Sequence, residues 1–331
     1  MRHLRAVPCA PPPGRLAEGP VWDDRRGELL WVDILEGRVH RAELATCDGL
    51  PDPKTPDPKT PDPKSPDLKT PDPKAPDLRV PDLKPLDALT FDAPVGAVAL
   101  CASGALLLTA GLSVRRLEPG RPAAEAVELA ALPPSADGRP RRMNDAGVDP
   151  AGRLLAGTMA YDETPGAGAL YRLDGEALTP LLPSVGISNG LGWSPDGTRL
   201  YYADSLTGRV DVFAYDVGTG ELRDRTPFAA LERGVPDGLT VDSEGRVWVA
   251  SWGGGEVLAH APDGSLHARV EVPAAHVTSC AFAGPDLDVL VITTATAGLD
   301  AAARRAQPDA GRLFACRPGA TGLPAARYAD R

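Results

Sequence analysis

Residues Gly186 to Ser205 read GISNGLGWSPDGTRLYYADS, and the fold follows from them. At the centre, Ser194-Pro195-Asp196-Gly197 is turn chemistry, because proline presets φ and glycine supplies φ > 0. The flanks, Leu191–Trp193 and Thr198–Ala203, are short, apolar and aromatic, which predicts a β-hairpin. Asn189 stands four residues before Trp193, where the first strand of that hairpin begins.

The arrangement recurs. DGLTVDSEGRVWVAS places Asp237 four residues before Val241 and Gly245 four after it, and NDAGVDPAGRLLAGTM does the same with Asn144, Val148 and Gly152. EGPVWDDRRGELLWVD puts Glu18 four before Trp22, with Gly27 one residue late. Two weaker copies are Gly96-Leu100-Gly104, which lacks a polar side chain, and Thr278-Phe282, which lacks the turn glycine. The starts at 18, 96, 144, 189, 237 and 278 are spaced 78, 48, 45, 48 and 41 residues. Short strands repeating with that period predict an all-β, six-bladed β-propeller.

In a propeller the first strand of each blade lines the central channel, so residues at one offset form a ring near one mouth. Glu18, Asn144, Asn189 and Asp237 are therefore expected to converge, although up to 219 positions separate them. Two carboxylates and two amides offer only oxygen donors, which suit a hard divalent cation. The competing reading is that Asn and Asp merely cap turns at blade starts; four polar side chains in one register favour the ring.

The segments EGPVW, R-x-N-D followed by VDPAGR and AGTM, ISNGL-x-WS, PDG and TSC-x-F resemble the senescence-marker-protein/gluconolactonase/regucalcin family of six-bladed propellers. The similarity spans roughly residues 3–45 and 90–331. The resemblance implies sugar-lactone hydrolysis and one divalent metal ion (Ca, Zn, Mg or Mn) held by Glu18, Asn189 and Asp237. It implies substrate contacts at Arg142 and Asn144, and Asp237 as the group that moves the catalytic proton, a role for which the residues alone do not separate it from Glu18. The family also carries an acidic substrate contact after AGTM. Here that stretch is Ala160-Tyr161-Asp162-Glu163-Thr164; ungapped reading selects Asp162, and Glu163 is the alternative.

Composition narrows the field. The net charge is −10, with no Lys/Arg cluster to meet a phosphate backbone, so nucleic acid is not an expected partner. Five scattered cysteines without a C-x-x-C pair point away from a disulfide framework or structural zinc and toward a reducing compartment. Cys280 reads as a buried thiol. The N-terminal stretch has no apolar core of a signal peptide, and no run reaches the roughly 18 apolar residues of a membrane span, so a cytoplasmic protein without membrane attachment is expected. The histidines share no spacing, which argues against a Ser-His-Asp hydrolase. Asp33 and Asp204, ending equivalent second strands, read as turn caps.

The whole chain, 1–331, reads as one propeller domain, interrupted at 50–88 by a PD(P/L)(K/R) repeat. Proline at this density blocks both helix and sheet, so a disordered, solvated loop is expected there, bulging from blade one or its junction with blade two. From Pro51 to Lys84 seven Asp and seven Lys/Arg cancel, leaving the full −10 on the remainder. A tolerated surface expansion is favoured over a docking arm for a proline-binding protein. Residues 2–8 are expected to form a strand that closes the ring on the last blade. Besides a lactonase, the sequence leaves room for a non-catalytic calcium-binding regulatory protein of the regucalcin type or an interaction scaffold. Arg142 and Asn144 speak for the enzyme, since neither alternative needs sugar contacts.

Overall fold

In the computed structural model, which describes residues 1–9, 11–44 and 81–330, the second strand of blade one shows how the sequence builds the ring. Glu28–Asp33 reads ELLWVD, an almost unbroken apolar run. Side chains alternate across a strand, so Leu29 and Trp31 pack toward blade six while Leu30 and Val32 pack toward blade two. Both faces of the sheet are buried, and the polar alternation of a half-exposed strand is accordingly missing. The same logic holds around the molecule. The described core falls into six clusters, one in each interface between neighbouring blades.

Each blade is a twisted antiparallel sheet whose innermost strand comes first in the chain. Those inner strands are Ala17–Asp23, Val95–Leu100, Arg141–Val148, Ser188–Trp193, Val235–Val241 and Val277–Ala283, and each packs beside the next around the channel. The six-bladed propeller expected from the repeat is therefore the observed fold.

Closure differs in detail from the expectation. Val7–Pro8 pairs antiparallel with Phe314–Cys316 and supplies the fourth strand of blade six, as anticipated. Arg2–Arg5, however, runs parallel to Leu266–Glu271 and extends blade five. One N-terminal segment thus covers the outer edges of two blades, and Ala6 between them sits in the core of their interface.

Residues 45–80, with most of the repeat, lie outside the described residues. The expected boundary at 88 needs correction, because Leu83–Pro85 is a strand paired with Arg38–Leu44. Leu83, at the P/L position of the last repeat, is buried in the interface of blades six and one. Proline is tolerated next to it because this is an outer strand, where a missing N–H breaks no inner ladder.

After its last strand the chain crosses the mouth at which the inner hairpins turn. The Ser243 N–H donates to the Thr321 carbonyl, Gly322 to Leu287, Tyr328 to Leu100, and Ala329 to Gly152. Arg327 reaches Asp23 and Asp24, and Asp330 accepts from Ser103 and Arg116. Leu323, Ala325 and Ala326 line a cavity of about 180 Å³ beneath this tail. Among the described residues no helix is long and apolar enough to cross a membrane, and the α-helix Ala301–Ala306 has six residues.

Candidate active site

The six repeat starts coincide with a recurrent irregularity. In every blade the pairing of the inner strand with the second strand slips at its beginning, between Glu18 and Val21, Val95 and Ala97, Met143 and Ala146, Ser188 and Leu191, Pro236 and Leu239, and Val277 and Ser279. A bulge frees a residue from the ladder and re-aims its side chain. Five of the freed positions are those of the sequence repeat, Gly96, Asn144, Asn189, Asp237 and Thr278, while in blade one Glu18, opposite Val32, is the last paired residue before the slip. At Glu18 the kink needs Gly19, whose φ is +50°, and the Gly19 N–H donates to the Glu18 carboxylate at 2.8 Å.

Glu18, Asn144, Asn189 and Asp237 line one cavity of about 430 Å³ at the mouth opposite the tail, together with Arg142. The other two positions are structural. A Cβ on Gly96 would stand 2.9 Å from the backbone of Met143 and Asn144. Thr278 donates to the Ala17 carbonyl at 2.6 Å and so ties blade six to blade one.

Hydrogen bonds fix the polar groups in series. Arg142 donates to Asn144 Oδ1 at 2.6 Å, and Asn144 Nδ2 donates to Asn189 Oδ1 at 3.0 Å. Asn189 Nδ2 donates to Ser205 Oγ at 2.8 Å, and Ser205 donates to the Pro236 carbonyl at 2.7 Å. The relay spans blades three, four and five. Asp33 and Asp204 are caps, as read, and their role is larger than a turn. Each accepts the two backbone N–H groups leading into its own inner strand, Arg15 and Leu16 in blade one, Gly186 and Ile187 in blade four. Glu18 and Asn189 follow two residues later and are thereby placed.

The electrostatics are unbalanced. Glu18, Asp237 and Arg142 are each only 5–6% exposed, so water screens them little. Burial, and then the charge of Asp145 below them in the channel, raises the Glu18 carboxyl from 4.5 to about 8. Burial, followed by the charges of Glu18 and Asp145, raises Asp237 well above its ordinary value, and it shares a hydrogen bond with Glu18. Burial pushes Asp145 itself up to about 6. Arg142, lowered by burial, is among the described residues the only basic side chain on the cavity wall. Among the described residues no three His, Cys, Asp or Glu converge as a metal cluster. The ring residues that do converge are two carboxylates and two amides, Glu18, Asp237, Asn144 and Asn189, and their oxygen donors with an excess of acid fit a divalent cation.

Of the residues singled out from sequence, Asp162 is the one the geometry does not bring in. It is largely exposed and forms an ion pair with Arg139. Glu163, the alternative, lines the cavity. Its φ of +54° turns the chain at that residue, so the ungapped count selects the neighbour that faces away. Sequence reasoning missed Ser205 and the aliphatic and aromatic wall described below. Ser205 follows Asp204 as Ile34 follows Asp33, and both line the cavity, so the residue after each capping aspartate was the available signal. Cys280 is buried and its thiol is raised by burial, as its position suggested.

Comparison with known proteins identifies the family. The pattern described as SMP-30/Gluconolactonase/LRE-like region matches residues 16–296. The chain belongs to that family. Within it, the chain is 39% identical over 322 residues to regucalcin of Sus scrofa, covering 94% of each sequence. It is 35% identical over 320 residues to the pentonolactonase XacC of Haloferax volcanii, covering 94% of this chain and 93% of that protein. Among solved structures, the calcium-binding protein regucalcin from Agrobacterium tumefaciens superposes with a TM-score of 0.79 at 26% identity over 99% of both chains. Family membership therefore extends to the full length of the propeller.

Proposed function

We propose that this protein is a divalent-metal-dependent sugar lactonase that opens aldonolactones to the corresponding acids. The observation that carries the reading is the convergence, in one cavity, of Glu18, Asn189 and Asp237 with the Arg142–Asn144 pair. The pentonolactonase relative supports the reaction class.

Glu18, Asn189 and Asp237 would hold the cation. Once bound, a divalent cation polarises an ester carbonyl and makes nearby water more acidic at neutral pH. The chain's own residues supply the rest. Asp237 takes a proton from the attacking water at its carboxylate and returns it to the ring oxygen as the C–O bond breaks, acting first as base and then as acid. Arg142 offers a guanidinium fork to the developing oxyanion or to a hydroxyl beside the carbonyl. Asn144, its amide oriented by Arg142 and Asn189, fixes the sugar ring, and Glu163 accepts from a further hydroxyl. Sugar lactone is the proposed partner, and the four described cysteines, all free and buried, support a reducing, cytoplasmic location.

A second reading is a calcium-binding protein without turnover, favoured by the name of the Agrobacterium neighbour. It leaves Arg142 and Glu163 without a task. Measuring gluconolactone hydrolysis in a pH-stat, with and without chelator, on wild type and Asp237→Ala decides between them. Chelator-sensitive turnover lost in the variant supports the lactonase. Turnover indifferent to chelator removes the metal mechanism, and cation binding without turnover on any sugar lactone favours the second reading.

A further inference from the structure

The wall of the cavity is two-faced. Above the ring of bulged residues, polar side chains come from blade three alone, as Arg142 and Glu163. Going round the remaining rim, blade four offers Leu206, blade five Val235 and Trp252, blade six Ala297, and blade one Ile34. Ser205 on this wall and His276 behind Trp252 already have partners. Ser205 is spent between Asn189 and Pro236, and His276, stacked on Trp252 with ring centroids 4.1 Å apart, faces the Ala297 carbonyl through Nδ1 at 2.8 Å. Leu206, 43% exposed, carries the apolar side of the wall out to the rim.

We propose that this cavity selects sugar lactones whose edge remote from the carbonyl is apolar, deoxy or lacking a terminal hydroxyl, over their fully hydroxylated counterparts. The inference rests on the lactonase reading and adds to it a substrate class. With the carbonyl at the ring of Glu18, Asn189 and Asp237, the adjacent hydroxyls can turn to Arg142, Asn144 and Glu163. The exocyclic arm on the far side of the ring then meets Leu206, Val235 and Trp252. A terminal hydroxyl there loses its water and finds no partner, which disfavours it. An apolar wall rejects an added hydroxyl only moderately, by about a hundredfold at most, so the preference is graded.

L-fucono-1,4-lactone and L-galactono-1,4-lactone differ only in a terminal methyl against a hydroxymethyl group, and they make the test. Wild-type kcat/KM is expected to favour the fuconolactone by about tenfold or more. Leu206→Asn is expected to bring the ratio to within about threefold and Leu206→Met to preserve it. A wild-type ratio near one, or reversed, with both lactones turned over, overturns the inference while the lactonase reading stands. If neither these lactones nor gluconolactone is opened with any divalent cation, the lactonase reading fails. The inference is then decided by calorimetric binding of L-fuconate against L-galactonate to the cation-loaded protein: tighter fuconate supports the apolar wall and equal affinity overturns it.

Discussion

Ser205 holds Asn189 from behind: the Asn189 amide donates to the Ser205 hydroxyl at 2.8 Å, and that hydroxyl donates onward to the Pro236 carbonyl, one residue before Asp237. One side chain therefore orients the amide oxygen of one proposed ligand and tethers the backbone of another. Groups that orient metal ligands typically account for about 10–100-fold in affinity. Ser205→Ala is expected to weaken divalent-cation binding by about tenfold in a calorimetric titration. Ser205→Thr, which keeps the hydroxyl, should recover most of it. Equal affinity in all three proteins would leave Ser205 a packing residue.

The raised carboxyl of Glu18 links stability to pH. Between its ordinary 4.5 and its folded value of about 8, the folded chain holds a proton that the unfolded chain has released. Its contribution is therefore complete below the unfolded value and is lost as pH rises through the folded one. In chelator, the melting temperature should fall between pH 5 and pH 8.5 more steeply for wild type than for Glu18→Gln. Saturating cation should flatten the wild-type slope, since it replaces the proton as the compensating charge. Identical slopes with and without Glu18 would contradict the assignment.

Glu163 and Asp162 separate cleanly in kinetics. Glu163→Gln is expected to raise KM for a sugar lactone by about tenfold, with a smaller change in kcat. Asp162→Asn, which touches only Arg139 and Thr164 at the surface, should leave both within about twofold. The reverse pattern would restore the ungapped reading of the sequence.

The tail can be tested away from the chemistry. Arg327 is mostly buried against Asp23, whose side chain is wholly inaccessible. Although burial pushes Asp23 up, hydrogen bonds from Arg327 and Arg26 hold it below the usual carboxylate range. Arg327→Ala leaves Arg26 in place, so urea unfolding should show a loss of about 1–3 kcal/mol. kcat should stay within about twofold, because the tail lies at the far mouth.

The sequence was most legible where it repeats. The offset from Glu18, Asn144, Asn189 and Asp237 to the following turn encoded both the blades and the ring, because a bulge recurs at the same place in every blade. Legibility failed where a feature occurs once. The left-handed turn at Glu163 shifts the face that a count along the chain assigns. Leu83 returns the chain to the sheet inside what composition marks as repeat. Arg2–Arg5 pairs with blade five through a parallel register that nothing in four polar-rich residues announces. The apolar rim comes from four separate blades, and no single stretch contains it.

Leu323, Ala325 and Ala326 line the cavity at the lower end of the central passage, whereas Leu206 and Trp252 line the cavity at the other mouth. On the proposed lactonase reading, lactone would come in, and hydroxy acid go out, past Leu206 and Trp252. Acid and lactone would then occupy the same cavity in turn, so accumulating acid should slow turnover as a competitive inhibitor, which more substrate can overcome.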